Sequence, residues 1–290
     1  AEYGKVSKAW TLHADGSQEY RSSMELTLFT HTAMNSTYGE SFIVYNPDFQ
    51  TLKIHSSYTR QKDGTIVKTP DNAFVEVLPR FAADAPAYNQ LKEMVVVHTG
   101  LELGATIYLD YSIITKPGYY PALDINERLQ ETSPVKECKV SISVPEGTPL
   151  ACGLYGSPVK AVEESHDGIK EVHWTLRNIP ASSREAFQPK NREASPHLVA
   201  STYPSGKAAL ATLDKRLKES QGYESKTFAQ FLTDKSGNEQ EKVNIIRDHI
   251  LNNLSTCPIP MAMTGYTVRD IDTVLHGHQA YESIPKGYYH

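Results

Sequence analysis

Three kinds of side chain in this sequence have the reactivity that covalent or metal chemistry needs: thiols, imidazoles and close-set carboxylates. The thiols are Cys138, Cys152 and Cys257, an odd number that cannot pair completely within one chain. Cys257 falls in the helical-looking part and could act as a nucleophile with His249 or His276 as its base. It follows a predicted helix C-terminus, however, where the dipole raises a thiol pKa, so a structural role is expected. Cys138 alternates with Val140, Ile142 and Val144 and is expected to be a small buried hydrophobe. A Cys138–Cys152 bridge would need an oxidising compartment, and the sequence leaves that pairing open.

His276 and His278 form an H-x-H pair, and His290 is the last residue. On a strand both imidazoles would share a face and could begin a metal site. Without a placed third ligand they are expected to be surface histidines. Asp270 and Asp272 flank Ile271; such a pair can do acid–base work or hold calcium, but here is expected to cap or solvate a helix start. No G-x-S-x-G, H-E-x-x-H, phosphate-loop or dinucleotide fingerprint occurs. No catalytic, cofactor-binding or metal-binding residue is therefore assigned, and no cofactor is expected. Tyrosine is abundant, with 17 Tyr beside 8 Phe and 2 Trp. Tyr119 and Tyr120, with Tyr108 and Tyr111 upstream, could present an aromatic platform to a peptide or glycan. Cross-strand packing uses Tyr as well and is the expected role.

The elements that would position these groups change character along the chain. Up to about residue 180 the period is two. Met24, Leu26 and Leu28 alternate with polar residues, as do Leu52 and Ile54, Ile107 to Ile113, and Val172, Trp174 and Leu176. Asp15-Gly16, Asp63-Gly64 and Asp167-Gly168 supply tight-turn chemistry between such runs. No helical pattern separates them, so antiparallel pairing with one wet face is expected. The loosest segment, FAADAPAYNQL at 81–91, reads as a long loop. Beyond about residue 205 the period lengthens. Leu210, Leu213 and Leu217 recur at helical spacing, then Phe228, Phe231 and Leu232, then Val243, Ile246, Ile250 and Leu254. Glu239 and Glu241 suit the positive end of the last helix, and Pro258 and Pro260 are expected to end it. Between the two parts, the proline-punctuated stretch 180–204 reads as a boundary, and its basic residues Arg184 to Arg192 as solvated linker.

Composition narrows the function. Lys+Arg 29 against Asp+Glu 34 gives a net charge of -5, without the basic stripe of a nucleic-acid binder. No apolar run approaches the roughly 18 residues that span a bilayer. The opening AEYGKVSKAW has neither a basic nor an apolar leader region, so a signal peptide would be one already removed or never present.

Several segments together resemble a bacterial domain family of unknown function that precedes transglutaminase-like cores in exported proteins. They are LHADGS at 12–17, SYTRQKDGTIVKTP at 57–70, ALDINERLQETSPVKECKVSISVPEG at 122–147 and VHWTLRNIPA at 172–181. The resemblance covers about residues 5–200 and implies an elongated β-sandwich. The stretch EKVNIIRDHILNNLSTCPIPMAMTGYTVRDIDTVL at 241–275 resembles the beginning of the transglutaminase-like (papain-like) core, with Arg269 and Val274-Leu275 matching its Arg and aliphatic pair. Such cores work with Cys, His and Asp. The Cys is expected just after Leu275, where this chain reads His276-Gly277-His278-Gln279-Ala280-Tyr281-Glu282, so no family catalytic residue carries over. The resemblance implies a fragment of a longer protein or a degenerate core, and a periplasmic or secreted location.

The expectation is thus an α+β chain. Residues 1–182 form an antiparallel β-sandwich, 183–204 a linker, and 205–290 a partial, helical transglutaminase-like domain. Its expected role is non-catalytic, scaffolding or presenting substrate within an exported protease or amide acyl-transfer protein. The alternatives are a glycan- or peptide-binding module with an inactive core, and an independent enzyme using Cys257.

Overall fold

The computed structural model describes residues 1–182, 195–220, 222–257, 259–277 and 279–281. They form a mixed α+β chain dominated by sheets, divided into two units: Ala1–Val77 with Lys92–Pro204, and Leu78–Leu91 with Ser205–His290.

The first unit holds β1 (Glu2–Leu12), β2 (Gln18–Thr27), β3 (Glu40–Tyr45), β4 (Gln50–Arg60), β5 (Ile66–Lys68), β6 (Phe74–Val77) and β7 (Lys92–Val97). It continues with β8 (Thr106–Thr115), β9 (Asp124–Arg128), β10 (Val135–Pro145), β11 (Ala151–Tyr155), β12 (Val162–His166), β13 (Ile169–Ile179) and β14 (His197–Ser201). Eight strands make one large sheet in the order β12-β13-β10-β1-β2-β8-β4-β5, and two three-stranded sheets are ordered β11-β14-β9 and β3-β7-β6. Alternation explains the layering. In register, Val6 stands beside Cys138 and Met24, and Met24 beside Leu109, so the inward residues of β1, β2, β8 and β10 share one face. The other face carries Ser7, Ser23, Asp110, Lys139, Ser141 and Thr175. Both small sheets share hydrophobic clusters with the apolar face. Ile125, Leu198 and Ala200 join Val140, Ile142 and Trp174, while Ile43 and Val96 meet Leu109. The β12–β13 hairpin turns at Asp167 and Gly168, whose φ values of 52° and 76° are those of a type I′ turn.

Two expectations need correction here. The large sheet is not wholly antiparallel, because β1 and β10 run parallel. The connection between them runs through the intervening strands β2 to β9 of all three sheets instead of through one crossover helix, which is why no helical pattern announced it. The stretch read as linker also contains β14, pairing with β9 and β11. Leu198 and Ala200 are buried, but the run is short and bracketed by Pro196 and Pro204, so its punctuation masked it. Residues 183–194, including Arg184 to Arg192, lie outside the described residues.

In the second unit, α1 (Gly206–Glu219), α2 (Tyr223–Thr233) and α3 (Glu239–Asn253) follow the helical spacing. At α3, Asn238 Oδ1 accepts from Glu241 N–H at 2.9 Å, and the Glu241 carboxylate accepts from Gly237 N–H at 2.9 Å, a close relative of the capping box. The helix ends at Asn253, ahead of the prolines, because Leu254 turns extended and leads into β15 (Ser255–Cys257). β15 pairs in parallel with β16 (Gln279–Tyr281) across α4 (Ile271–Gly277). The expected loop at 81–91 is built of two 3-10 turns, Arg80–Ala82 and Pro86–Tyr88. It buries Ala82, Ala85, Tyr88 and Leu91 against Cys257 and Ile259. The apolar stripes of α1 and α3 form but contain no buried residue. No helix among the described residues is long and apolar enough to cross a membrane.

Candidate functional site

The inward face of β1 reads Val6, Lys8, Trp10, so an ammonium occupies a position meant for an apolar side chain. Burying a lone charge is costly, and the structure pairs it. Lys8 Nζ lies 2.5 Å from Glu127 Oε1 and 3.4 Å from Glu131 Oε1. Glu127 is itself on the inward side of β9, in step with the buried Ile125 and Leu129. Burial alone would pull the Lys8 pKa down; Glu127, Tyr20 and Glu131 outweigh it and hold the ammonium above its usual range. Tyr20 and Tyr111 flank the pair with ring centroids 6.3 Å apart. Burial, then the neighbouring Tyr111, raises the Tyr20 phenol.

Lys8, Tyr20, Tyr111 and Glu131 line a cleft of about 310 Å³ in the first unit. Ser22 of the large sheet lines it too, together with Glu40, Ser41 and Phe42 of β3. Tyr38 also lines it; its hydroxyl bonds Thr132 Oγ1 and Ser133 Oγ, each at 2.7 Å, and its ring meets Tyr3 edge-on at 6.0 Å. Behind β3, Ser41 Oγ lies 2.8 Å from Nε2 of the buried His98. Burial pushes His98 down to about 4, so it is neutral near pH 7. A hydroxyl and an imidazole at this spacing could be nucleophile and base. Yet His98 Nδ1 has no partner among the described residues to orient the ring. On the polar face of the large sheet, Ser112 donates to Glu19 Oε1 at 2.6 Å and lies 2.8 Å from His55 Nε2. Its proton is committed to the carboxylate, the reverse of the order in a catalytic triad.

The residues singled out by sequence are dispersed. Cys138 is buried in the large sheet and pushed up to about 11 by that burial. Cys152 stands on β11, and both thiols are free, so the bridge left open by sequence is not formed. Cys257 sits in the second unit's apolar cluster, where burial raises its thiol and Arg269 partly offsets the rise. Neither proposed base serves it: His249 packs on Phe228 at 5.0 Å, and His276 Nε2 lies 2.7 Å from Glu224 Oε2. The guanidinium of Arg269 lies over the Tyr88 ring at 5.6 Å, and Val274-Leu275 are within α4. His278, Glu282 and His290 lie outside the described residues. Asp270 and Asp272 act as caps, as expected. Asp270 Oδ1 accepts from Thr273 N–H at 3.0 Å, and Asp272 accepts from Ser225 and Glu224 N–H at 2.8 and 3.2 Å. Burial opposes ionisation of Asp272, but these amides hold its pKa low. The four tyrosines form no single platform. Tyr108 stacks on Tyr58 at 4.6 Å and Tyr119 on Phe49 at 4.6 Å, whereas Tyr111 faces the cleft.

Sequence reading overlooked Lys8, Glu127, Glu131, Ser41 and His98. A signal existed for the first two: each is a charge in phase with apolar neighbours on an alternating strand.

Residues 14–183 match the family model described as a domain of unknown function with a solved structure, DUF3857. A solved structure from Parabacteroides distasonis, carrying a provisional protease name, is 98% identical with a TM-score of 0.94; the alignment covers 97% of this chain and 55% of that one. The present chain thus spans little more than half of that relative's length. An M1 zinc metallopeptidase from Deinococcus radiodurans aligns over 68% of this chain and 41% of its own at 10% identity, with a TM-score of 0.30. That likeness is too slight to carry an argument. No curated protein matches. With the matching model spanning more than half of its residues, this chain belongs to the DUF3857 family.

Proposed function

We propose that this chain is the non-catalytic, substrate-presenting part of an exported, transglutaminase-like protease or amide acyl-transfer protein, periplasmic or secreted. In this reading the first unit is a β-sandwich scaffold and residues 205–290 begin the transglutaminase-like core. The observation that carries it is the state of the thiols. Thiolate attack on an amide needs a lowered thiol pKa and an adjacent imidazole. Burial raises Cys138, Cys152 and Cys257 alike, and the bases suggested for Cys257 are engaged elsewhere. The provisional protease name of the longer, near-identical chain supports the protease connection. A second reading, a peptide- or glycan-binding module with an inactive core, is favoured by the tyrosine-lined cleft.

Two measurements test the proposal. Iodoacetamide should modify Cys257 more slowly than a free model thiol at neutral pH; faster reaction would restore the independent-enzyme reading. Amide hydrolysis should appear with the longer chain and be absent with residues 1–290. Hydrolysis by neither would favour the binding module.

A further inference from the structure

The cleft has a feature that side chains alone do not reveal: among the described residues, one of its walls is a strand edge with no further strand paired to it. In the order β3-β7-β6, β3 is terminal. His98 N–H donates to Gly39 C=O at 2.9 Å, which fixes the phase of the antiparallel ladder. Gly39, Ser41 and Ile43 bond towards β7, and Glu40, Phe42 and Val44 direct N–H and C=O to the open side. Ile43 is buried with Val96 and Leu109, so Phe42 points the other way and is 58% exposed. Natural edges of this kind are covered, bulged or heavily charged; this one carries a single charge, Glu40. The charges around the cleft select a partner. Glu127 already engages Lys8, while Glu131 holds the same ammonium only at 3.4 Å. Glu131 and Glu40 both line the cleft, and among the described residues lining it Lys8 is the one lysine or arginine. Tyr20 and Tyr111 line the cleft as well, and aromatic surroundings favour a cation.

We propose that the cleft captures an extended peptide segment bearing a lysine or arginine, added as a strand on the open edge of β3 with its basic side chain between Tyr111 and Glu131. Main-chain bonds to Glu40, Phe42 and Val44 supply affinity, and the inward pocket supplies selectivity, the division of labour of β-strand addition. This rests on the substrate-presenting reading and adds a substrate class to it.

The test uses residues 1–290 and a fluorescent, end-blocked peptide of about nine residues, alternating threonine and valine with a central lysine, a length that matches a strand. Anisotropy titration should show saturable binding. N-methylation of alternate peptide amides should weaken it about tenfold or more, since each lost main-chain bond is worth roughly 1 kcal/mol. A central glutamate in the peptide should weaken it to a similar extent, and so should Glu131→Gln in the protein. Phe42→Pro removes an outward N–H together with the ring and spares the β7 ladder, whereas Phe42→Ala removes the ring alone; the proline variant should bind more weakly than the alanine variant, with the two melting curves alike. Absence of binding, or equal binding of the N-methylated or glutamate peptides, would overturn the proposal. The peptide arms need no protein variant and so stand whatever the variants' folding. Failure of the wider reading has a different signature. Peptide binding with these dependences, together with an unaltered KM for amide hydrolysis when Glu131→Gln is placed in the longer chain, supports strand addition and removes only its link to catalysis.

Discussion

His98 shows how one buried side chain writes itself into the pH dependence of the whole protein. Its ordinary pKa is 6.5, and burial in the folded state takes it to about 4. Between those values the unfolded chain binds the proton and the folded chain does not. Stability therefore rises with pH across this window, is complete above about 6.5, and is lost as pH falls towards 4. The full effect is about 3 kcal/mol. His98→Gln leaves Ser41 a partner but removes the titration. Urea midpoints measured from pH 4 to 7 should fall less steeply in the variant, and identical slopes would show that His98 is not the group responsible. Such residues are the hardest to read from sequence. His98 ends an apolar run, Met94 to Val97, and nothing in its neighbours names Ser41 as its contact. Lys8 was more legible: a lysine in phase with Val6 and Trp10 must be paired or exposed, although only the fold supplies Glu127 as the answer.

Among elements, strands and helices were legible because their periods differ, and the Asp-Gly turns marked where strands reverse. Pairing partners were not, since alternation says which side is buried but not which neighbour a strand chooses; hence β1 beside β10. Helix caps from distant segments are equally silent in sequence. Asp272 lies 48 residues beyond Glu224, whose amide it receives at the start of α2, yet it does the work of a local N-cap. The cap requires glycine at Gly222, where a Cβ would stand 2.0 Å from the Asp272 carboxyl carbon. Gly222→Ala must displace that carboxylate. We expect Gly222→Ala and Asp272→Ala each to destabilise the second unit by about 1 kcal/mol, the value of a lost cap. The double variant should cost little more than either alone, because both remove the same interaction. Additive losses in thermal melts would show that Gly222 matters for some reason other than admitting Asp272.

At the scale of the molecule, the two units have unequal means of staying folded. The first buries alternating faces of three sheets. The second leaves Leu210 68%, Phe231 76% and Leu251 70% exposed, and its well-buried apolar cluster depends on residues 78–91, contributed from inside the first unit's sequence. That segment read as a loop because its buried residues, Ala82, Ala85, Tyr88 and Leu91, follow 3-10 turns and match neither a period of two nor one of 3.6. It leaves and re-enters the β6–β7 hairpin, where Val77 pairs with Glu93. Replacing residues 78–92 with Asn-Gly should close that hairpin with a two-residue turn and leave the first unit intact except for Lys92, the end residue of β7 paired with Tyr45. The second unit would lose four buried side chains, and truncating one buried aromatic alone costs roughly 3–5 kcal/mol. Two probes separate the outcomes. Both tryptophans, Trp10 and Trp174, lie in the first unit, whereas α1 to α4 lie in the second. The tryptophan emission transition should keep its midpoint while the helical circular dichroism signal collapses or melts far earlier. If both signals shifted together, residues 78–91 would have to support the first unit as well, and the stability of the second could not be assigned to its borrowed segment.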